Sequence, residues 1–293
     1  AGGGVVGAAC ALALARVGLE VALVEPRPAP RWLAGQPDLR VYALAPDNAE
    51  LLGRLGVWSQ VLEARAQPYR RMRVWDAAGG GELQFDASAM AREELGWIVE
   101  NDLLVARLWA ALASAGVRMH CPARVDAMDD QDAAGVRLRL DDGTRLEARI
   151  AVAADGAGSA LRRMAGLEVD AHDYHQRGVV AFIETERRHE DTAWQRFLPT
   201  GPLALLPFTE GRSSIVWTLP DAEAARVLAL DDAAFATALT DASAARLGRA
   251  MPVSPRVAFP LRRQLVRQQV AGRVLGLGDG AHGVPPPAGA GVN

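Results

Sequence analysis

The chain has 293 residues, of which 50% are hydrophobic and 23% charged, with a net charge of −3. These values are typical of a globular protein with one or two domains, and the weak charge gives no support to a nucleic-acid partner. The two cysteines lack a CxxC spacing, which excludes a zinc ribbon or a disulfide framework. Apolar stretches stay below the ~18 residues of a membrane span, so a cytoplasmic location is expected. All 32 basic residues are arginines, which indicates GC-rich, bacterial coding DNA.

The chain opens on a glycine motif, AGGGVVGAAC, in which Gly2, Gly4 and Gly7 fit the spacing G-x-G-x-x-G. In a dinucleotide-binding unit the first glycine makes a tight turn and the second lets the backbone approach a pyrophosphate. The third lets the helix pack closely on the strand. The alternative for such a glycine run is a flexible chain end.

The residues after this motif favour the nucleotide interpretation. An Ala- and Leu-rich helix is predicted up to Val17, and Gly18 ends it. A short buried strand then ends at Glu25, where a carboxylate would accept hydrogen bonds from ribose hydroxyls. The strand that should precede the glycines is absent from the sequence, so we expect the chain to be part of a longer protein.

Two further motifs place an aspartate beside a glycine at the end of an apolar run. Asp155 and Gly156 follow the run RIAVAA, and Gly278 and Asp279 follow the run RVLGL. In open α/β sheets the carboxyl ends of the strands form the ligand-binding edge. The sequence therefore predicts that both motifs lie at that edge.

The order of these motifs resembles that of the class A flavoprotein aromatic hydroxylases, the p-hydroxybenzoate hydroxylase type. That family carries G-x-G-x-x-G, then D-G-x-x-S-x-x-R, then a late G-D motif. The resemblance implies FAD as cofactor, NAD(P)H as electron donor and O₂ as co-substrate, with a C4a-hydroperoxyflavin as the oxygen donor. It implies that Asp279 contacts the ribityl chain and that Asp155 serves FAD and NAD(P)H. Segment 286–293, with Gly289 and Asn293, would face the flavin ring.

Two more residues match positions of that family. Arg40, in DLRVYAL, corresponds to an arginine that reaches the FAD phosphates, and its alternative is a solvated surface arginine. Asn101, in IVENDLL, corresponds to an amide close to the cofactor. Its alternative, which does not exclude the first, is the N-cap of the helix predicted over DLLVARLWAAL.

Several stretches are more similar to the ubiquinone-biosynthesis hydroxylases of the UbiH, UbiF and UbiI (VisC) type. They include RVYALAPDNAELLGRLGVW, GPLALLPF and GDGAHGVPPPAGAGVN. This implies a polyprenylphenol substrate hydroxylated at C5, or next at C6. It also implies contact with an assembly of ubiquinone-biosynthesis proteins or with the inner membrane. Two departures are Gly280, where alanine is usual, and Ala290, where glutamine is usual. About a hundred residues are expected to follow Asn293.

The predicted fold class is α/β, a Rossmann-like FAD-binding domain with an antiparallel β-sheet substrate domain. The FAD-binding domain is predicted to be discontinuous, over 1–70, 96–165 and 266–293. The substrate domain is predicted over 71–95 and 166–265.

Four aromatic residues of the second region are candidates for an apolar substrate pocket, Trp194, Phe197, Phe208 and Trp217. The alternative for each is ordinary sheet core. His282 is adjacent to the G-D motif and is a candidate catalytic base, but a helix-start residue near FAD is the preferred interpretation. The sequence marks no catalytic base and no metal site.

Two alternatives to a hydroxylase stay open. One is another flavin oxidoreductase of the same fold, such as a halogenase, although the lysine expected near the flavin of a halogenase is missing from this sequence. The other is a non-catalytic FAD-binding subunit of the quinone-biosynthesis complex, for which Gly280 and Ala290 are the only support.

Overall fold

A computed structural model of the chain describes residues 1–132 and 134–283, without the side chain of Asp130. The predicted site residues Gly289 and Asn293, and the departure at Ala290, lie outside the described residues. The described helices are α1 (Val5–Arg16), α2 (Pro46–Arg54), α3 (Trp58–Arg65), α4 (Asn101–Ser114), α5 (Ala160–Met164), α6 (Asp221–Leu228) and α7 (Asp232–Ala242).

The described strands divide into those that precede α5 and those that follow it. The first set is β1 (Ala22–Val24), β2 (Val41–Leu44), β3 (Gln67–Tyr69), β4 (Arg71–Asp76), β5 (Glu82–Asp86), β6 (Gly96–Glu100), β7 (Arg118–His120), β8 (Val125–Gln131), β9 (Val136–Leu140), β10 (Arg145–Ala148) and β11 (Ala151–Ala153). The second set is β12 (Val169–Thr185), β13 (Thr192–Leu198), β14 (Gly201–Pro207), β15 (Ser213–Pro220), β16 (Ala250–Pro252), β17 (Val257–Val266), β18 (Val270–Ala271), β19 (Val274–Gly276) and β20 (His282–Gly283).

Parallel strands form the centre of the nucleotide-binding layer. Strand β1 pairs in parallel with β7, and β11 pairs in parallel with β19. Residues 1–2 lie between the two pairs, because the Gly2 N–H donates to the Val24 carbonyl at 2.8 Å and the Ala154 N–H donates to the Ala1 carbonyl at 2.9 Å. The carboxyl ends of β1, β11 and β19 therefore lie along one edge.

Helix α1 follows directly from this edge. Its sequence, VVGAACALALAR, is rich in alanine and leucine, which are strong helix formers. It ends at Arg16, and Gly18 takes a left-handed φ of +84° just beyond. Ala8 and Leu12 are fully buried in a core that α1 shares with Leu104 and Leu108 of α4.

Two small antiparallel sheets flank this layer. One has the order β10-β9-β8 and the other the order β2-β6-β3. In the second sheet Val41 lies opposite Glu100 and Leu44 opposite Trp97, so β2 begins beside the start of α4.

The large sheet has the order β20-β17-β12-β15-β14-β13-β4-β5, with β16 paired to β12. Its pairings are antiparallel apart from β13 with β4, which is parallel. Apart from β20, its strands come from 71–86 and 169–266. The boundaries between the FAD-binding domain and the substrate domain, as given in the sequence analysis, stay a prediction.

The two faces of the large sheet have different neighbours. On one face, Leu203 and Ile215 pack with Phe235 and Leu239 of α7. On the other face, Phe182, Ala193, Ala204 and Leu206 pack with Val41 of β2 and Ile98 of β6. We call this second face the inner face, because it is turned towards the nucleotide-binding layer.

The four aromatic candidates do not line one pocket, and the alternative of ordinary sheet core applies to Trp194, Phe208 and Trp217. Trp217 and Trp194 pack on the face that α6 and α7 cover, as ordinary sheet core. Phe208 is 1% exposed in the inner-face core, and Phe197 is 44% exposed. Side chains of a strand alternate between faces, so residues 194 and 197, three positions apart, cannot face the same layer.

His189 fixes the turn between β12 and β13. Its Nδ1 accepts the Asp191 N–H at 3.1 Å, so Nε2 carries the proton and donates to the Phe208 carbonyl at 3.0 Å. Burial lowers the pKa of His189 below its ordinary value. The neutral imidazole is therefore the form that the folded state favours.

This gives a pH-dependent contribution to stability. Because the folded-state pKa is lowered, the contribution is complete above the unfolded-state value of about 6.5 and is lost as the pH falls below it. Between pH 7.5 and pH 5.5 the loss amounts to at most about 1.4 kcal/mol. We expect urea unfolding to show this loss in wild-type protein and a smaller one in His189→Gln. An identical pH dependence in the two proteins would contradict the assignment.

Candidate functional site

The glycine loop is held by contacts that exclude side chains at two of its positions. Gly2 has a φ of +99°, and a Cβ there would overlap the carbonyl oxygen of Ala154 on the neighbouring strand. A Cβ at Gly7 would overlap the carbonyl oxygen of Gly2. A Cβ at Gly4, in contrast, would meet nothing within 4 Å. The loop is thus closed against the sheet at Gly2 and Gly7, and open at Gly4.

The open side of the loop is the N-terminus of α1. Gly4 is the N-cap residue and provides no side-chain cap, and the first turn contains no acidic residue. The N–H groups of the first turn and the positive end of the helix dipole therefore face outwards, and no side chain of the described residues caps them. A helix start of this kind binds phosphate groups.

Glu25 joins the end of β1 to the glycine loop. The residue is 5% exposed, and its Oε2 accepts the Gly3 N–H at 2.6 Å. Its Oε1 accepts both the N–H and the Nε–H of Arg27, at 3.1 and 3.0 Å. Trp109 of α4 holds the same loop from the other side, because its Nε1–H donates to the Gly3 carbonyl at 2.7 Å. Each carboxylate oxygen accepts two hydrogen bonds, so Oε2 of Glu25 has one position left for a ligand hydroxyl.

Asp155 holds the turn between β11 and α5. Its Oδ1 accepts a short hydrogen bond from the Ser159 hydroxyl, and its Oδ2 accepts the Ala160 N–H at 2.8 Å. Gly156, with a φ of +82°, allows the chain to turn there. The structure thus commits the Asp155 carboxylate to shaping this loop.

Arg162 connects the Asp155 loop to the second glycine–aspartate loop. It is 5% exposed, and its guanidinium donates to the Gly280 carbonyl at 3.1 Å and to the Ala157 carbonyl at 3.0 Å. Burial lowers the pKa of Arg162. Since a Cβ at Gly280 would lie 2.7 Å from the Ala153 carbonyl oxygen, the glycine at this position fits a close approach to β11.

Asp279 lies on the exposed side of the second loop. Gly278 takes a φ of +59° and packs against Val6 of α1, which sets the loop beside the helix N-terminus. Among the described residues the Asp279 carboxylate accepts no hydrogen bond, so no helix cap by Asp279 is present there. Burial raises the pKa of Tyr42, and the negative charge of Asp279 raises it further. The Asp279 carboxylate therefore lies on the same side of the site as Tyr42.

A polar network surrounds Asn101 at the start of α4. The Tyr42 hydroxyl donates to Oδ1 of Asn101 at 3.1 Å, and Nδ2 of Asn101 donates to Asp102 at 2.8 Å. Asp38 accepts the Asp102 N–H at 3.2 Å and the Arg40 N–H at 2.9 Å. The helix begins at Asn101 and its N-cap is Glu100, so the expectation that Asn101 is the cap is wrong.

Arg40 is exposed at the edge of this network. Its guanidinium carbon lies 5.4 Å from the centre of the Tyr42 ring, which is cation–π distance. Within the described chain its guanidinium makes no ion pair, and it is available to an anionic ligand.

Glu100 fastens the segment between β1 and β2 to this site. Glu100 is fully buried. Its Oε1 accepts the Asp38 N–H at 2.9 Å and the Trp32 Nε1–H at 3.3 Å. Its Oε2 lies 3.4 Å from the Arg65 guanidinium. Burial raises the pKa of Glu100. We call residues 26–40 the strap, because hydrogen bonds from its residues Trp32 and Asp38 to Glu100 hold this segment against the site.

The structure therefore brings most of the predicted residues together. Gly2, Gly4, Gly7 and Glu25 form one loop, and the two glycine–aspartate loops adjoin it through Val6, Ala154 and Arg162. The Arg40 and Asn101 network lies at the Asp279 side. The sequence interpretation missed Tyr42, Asp38, Glu100 and Trp109. Of these only Glu100 had a signal in the sequence, as a charged residue directly before a helix start.

No cluster of His, Cys, Asp and Glu side chains suited to a metal was found in the described part of the chain.

Comparison with known proteins gives a consistent result. The model of the FAD binding domain family matches residues 1–293. The chain belongs to this family. It is 36% identical over its whole length to the 3-demethoxyubiquinol 3-hydroxylase of Escherichia coli, covering 74% of that protein. It is also 36% identical to the ubiquinone hydroxylase UbiL of Rhodospirillum rubrum, covering all of this chain and 68% of that protein.

The fold is shared with solved flavoprotein structures. PqsL of Pseudomonas aeruginosa, described as a probable FAD-dependent monooxygenase, superimposes with a TM-score of 0.82 at 22% identity, covering all of this chain and 80% of PqsL. The predicted family, the α/β fold class and the FAD cofactor are thereby confirmed. The predicted enzyme class, a flavin-dependent aromatic hydroxylase, is confirmed too, and NAD(P)H is the electron donor typical of the family.

The residues of the site fit this cofactor. The open helix start at Gly4 suits a diphosphate, and the remaining acceptor position of Glu25 suits a ribose hydroxyl. The unpaired Asp279 carboxylate suits a ribityl hydroxyl.

Among the helices of the described chain, none combines the length and the apolar character of a membrane span.

Proposed function

We propose that this protein hydroxylates the aromatic ring of a polyprenylphenol precursor of ubiquinone, using FAD, NAD(P)H and O₂. The observation that carries the proposal is the meeting of the three glycine motifs at one strand edge, beneath an apolar sheet face. The two relatives that are 36% identical over the whole chain are named as hydroxylases of ubiquinone synthesis, which supports the substrate class.

We assign the cofactor contacts as follows. The helix start at Gly4 and the Arg40 guanidinium hold the diphosphate, Glu25 holds the ribose, and Asp279 holds the ribityl chain. Asp155 and Gly156 shape the adjoining loop. Gly289 and Asn293 remain assigned to the flavin side on the sequence resemblance.

The bound flavin supplies the redox chemistry, in which one oxygen atom of O₂ enters the ring and the other leaves as water. The chain contributes binding, orientation and the exclusion of water. The inner face of the sheet is apolar, and beyond the part where Ala204 and Leu206 pack against Val41 and Ile98 it suits an aromatic ring with a hydrocarbon side chain.

The test is direct. Purified protein with FAD and NAD(P)H is incubated with 2-geranylphenol under ¹⁸O₂, and the product is analysed by mass spectrometry. A gain of one labelled oxygen supports the proposal, and flavin oxidation without product contradicts it. NMR of the product decides the ring position. The run SSIVWTLPDAEAARV favours C5, whereas the Escherichia coli relative is named for position 3.

A polyprenyl chain is insoluble in water, so we also propose that the substrate is collected at the inner-membrane surface or from an assembly of ubiquinone-biosynthesis proteins. Fractionation is expected to find the protein with one of the two. Activity on the native substrate in a fraction free of both would contradict this.

The role of Asp279 is testable by a single substitution. Asp279→Asn is expected to weaken FAD binding about tenfold, because a charged acceptor becomes a neutral one and 1.4 kcal/mol corresponds to a factor of ten. Stability without FAD should hardly change, since the described carboxylate supports no other group. Flavin titration by fluorescence quenching measures the effect. An affinity equal to that of wild type would remove Asp279 from the cofactor site.

A non-catalytic FAD-binding subunit now has less support. The glycine at position 280 fits its close approach to Ala153, so the departure from the family pattern has a packing reason. Ala290 lies outside the described residues.

A further inference from the structure

The inner face of the large sheet contains a polar side chain among apolar ones. Gln195 of β13 lies opposite Ala204 of β14 and pairs in register with Val74 of β4. Ala204 in turn lies opposite Val216 of β15. The residue Gln195 is 7% exposed.

The direction of the Gln195 side chain follows from its neighbours. Arg196 reaches the opposite face, where its guanidinium donates to the Asp241 and Ala242 carbonyls of α7 at 3.1 and 2.9 Å. Trp194 packs in the core of that same opposite face. Because side chains alternate along a strand, Gln195 points to the inner face.

The amide of Gln195 makes no hydrogen bond with the described residues. A primary amide has two donor hydrogens and an acceptor oxygen, and the amide atoms of Gln195 are not among the fully enclosed polar atoms, so they stay accessible to a small molecule. An amide in an apolar surrounding that has no protein partner and stays accessible is free to bond a ligand.

The position of Gln195 matches a ring-binding site. Ala193, two residues earlier on the same face, packs with Val41 of β2, the strand that carries Tyr42 of the cofactor network. In the other direction Phe197 is 44% exposed on the same face, so the apolar surface opens outwards there. A ring at Gln195 would lie between the cofactor layer and the exposed end, and a hydrocarbon tail would extend towards Phe197.

We propose that Gln195 binds the oxygen substituent of the aromatic substrate and thereby orients the ring. This rests on the proposed function. Oε1 accepts the phenolic O–H, which leaves more electron density in the ring, and Nε2 donates to an oxygen on the adjacent ring carbon. An amide suits both tasks, since it offers a donor and an acceptor side by side.

The experiment compares two probes in the FAD-loaded protein, 2-geranylphenol and its methyl ether 2-geranylanisole. Their dissociation constants are read from the change in the flavin absorption spectrum. Wild-type protein is expected to bind the phenol roughly fivefold more tightly than the ether, the worth of one neutral hydrogen bond. Gln195→Leu is expected to abolish this preference, with FAD affinity unchanged. It should also raise the share of NAD(P)H that yields hydrogen peroxide instead of product.

Gln84→Leu is the matched control, because Gln84 is exposed on the edge strand β5 and, among the described residues, its amide bonds to Glu82 of the same strand. Gln195→Met is a second variant of similar shape if leucine fails to fold. A phenol preference that survives in Gln195→Leu or Gln195→Met would overturn the role of Gln195 and leave the proposed function intact. Wild-type protein that binds neither probe would overturn the proposed function together with this role.

Discussion

Gly7→Ala is expected to destabilise the protein by about 3 kcal/mol and to abolish FAD binding, whereas Gly4→Ala is expected to act mainly on FAD binding. The methyl group added at position 7 would overlap the carbonyl oxygen of Gly2 and lie 3.1 Å from the Cβ of Ala154. Both neighbours are held beside the central strands by backbone hydrogen bonds, so relief requires that helix α1 move away from the sheet. Overpacking of this kind in a rigid environment is among the costly substitutions.

Gly4 offers the opposite case on the same loop. Its φ of −68° suits alanine, and the new methyl group would meet no protein atom within 4 Å. Alanine is a poorer N-cap than glycine, which costs under about 1 kcal/mol. In the proposed complex the methyl group stands where the diphosphate approaches the helix start, and we expect FAD affinity to fall at least about tenfold.

Urea unfolding without FAD and FAD titration separate the two effects. Gly53→Ala is the control, because Gly53 lies within α2 and an added Cβ there meets nothing within 4 Å. It is expected to leave FAD binding unchanged and to stabilise the protein by about 0.5–1 kcal/mol. Equal stability of Gly7→Ala and wild type would show that α1 does not pack as described.

The sequence predicts those parts of the site whose chemistry is local. The spacing of Gly2, Gly4 and Gly7 and the acid at Glu25 follow from one turn, one helix and one strand, so a single segment contains the whole pattern. The family resemblance added Arg40, which no local pattern distinguishes from a surface residue. It also gave a ribityl role to Asp279, which the strand pattern had already placed at the sheet edge.

Other parts of the site depend on which distant strands pair. Tyr42 reaches Asn101 only because β2 lies against β6, and nothing near position 42 indicates that neighbour. Gln195 was missed for a similar reason, since a polar residue between Trp194 and Arg196 is typical of any half-exposed strand. Alternation shows that a strand has two faces, but it does not show which face meets the cofactor layer. The wrong grouping of Trp194 with Phe197 has that origin.

The second large effect is expected at Glu100. Glu100→Ala should lower the free energy of unfolding by about 3 kcal/mol, because the Trp32 Nε1–H and the Asp38 N–H lose their acceptor and Arg65 loses its partner. The strap is then released from α4, and with it the segment that carries Arg40. We therefore expect weaker FAD binding and faster proteolytic cleavage within residues 26–40.

Glu100→Gln separates the hydrogen bonds from the charge. Because burial raises the pKa of Glu100, the folded state favours the protonated form more than the unfolded state does. The stability contribution of this group is thus greatest below the unfolded-state pKa of about 4.3 and declines as the pH rises through it. A neutral amide avoids that burial cost and keeps an acceptor for Asp38, while the contact with Arg65 is lost. We expect a loss of about 1 kcal/mol or less at pH 7.

Glu50→Ala is the control for removing a paired glutamate. Its carboxylate is 71% exposed and lies 3.9 Å from Arg54 one helical turn away, so its loss should change stability by less than about 0.5 kcal/mol. Urea unfolding at pH 7 with limited proteolysis measures all three variants. The expected order of destabilisation places Glu100→Ala well above Glu100→Gln, with Glu50→Ala close to wild type. If Glu100→Gln is as damaging as Glu100→Ala, the charge on Glu100 holds the strap and its hydrogen bonds to Trp32 and Asp38 are secondary.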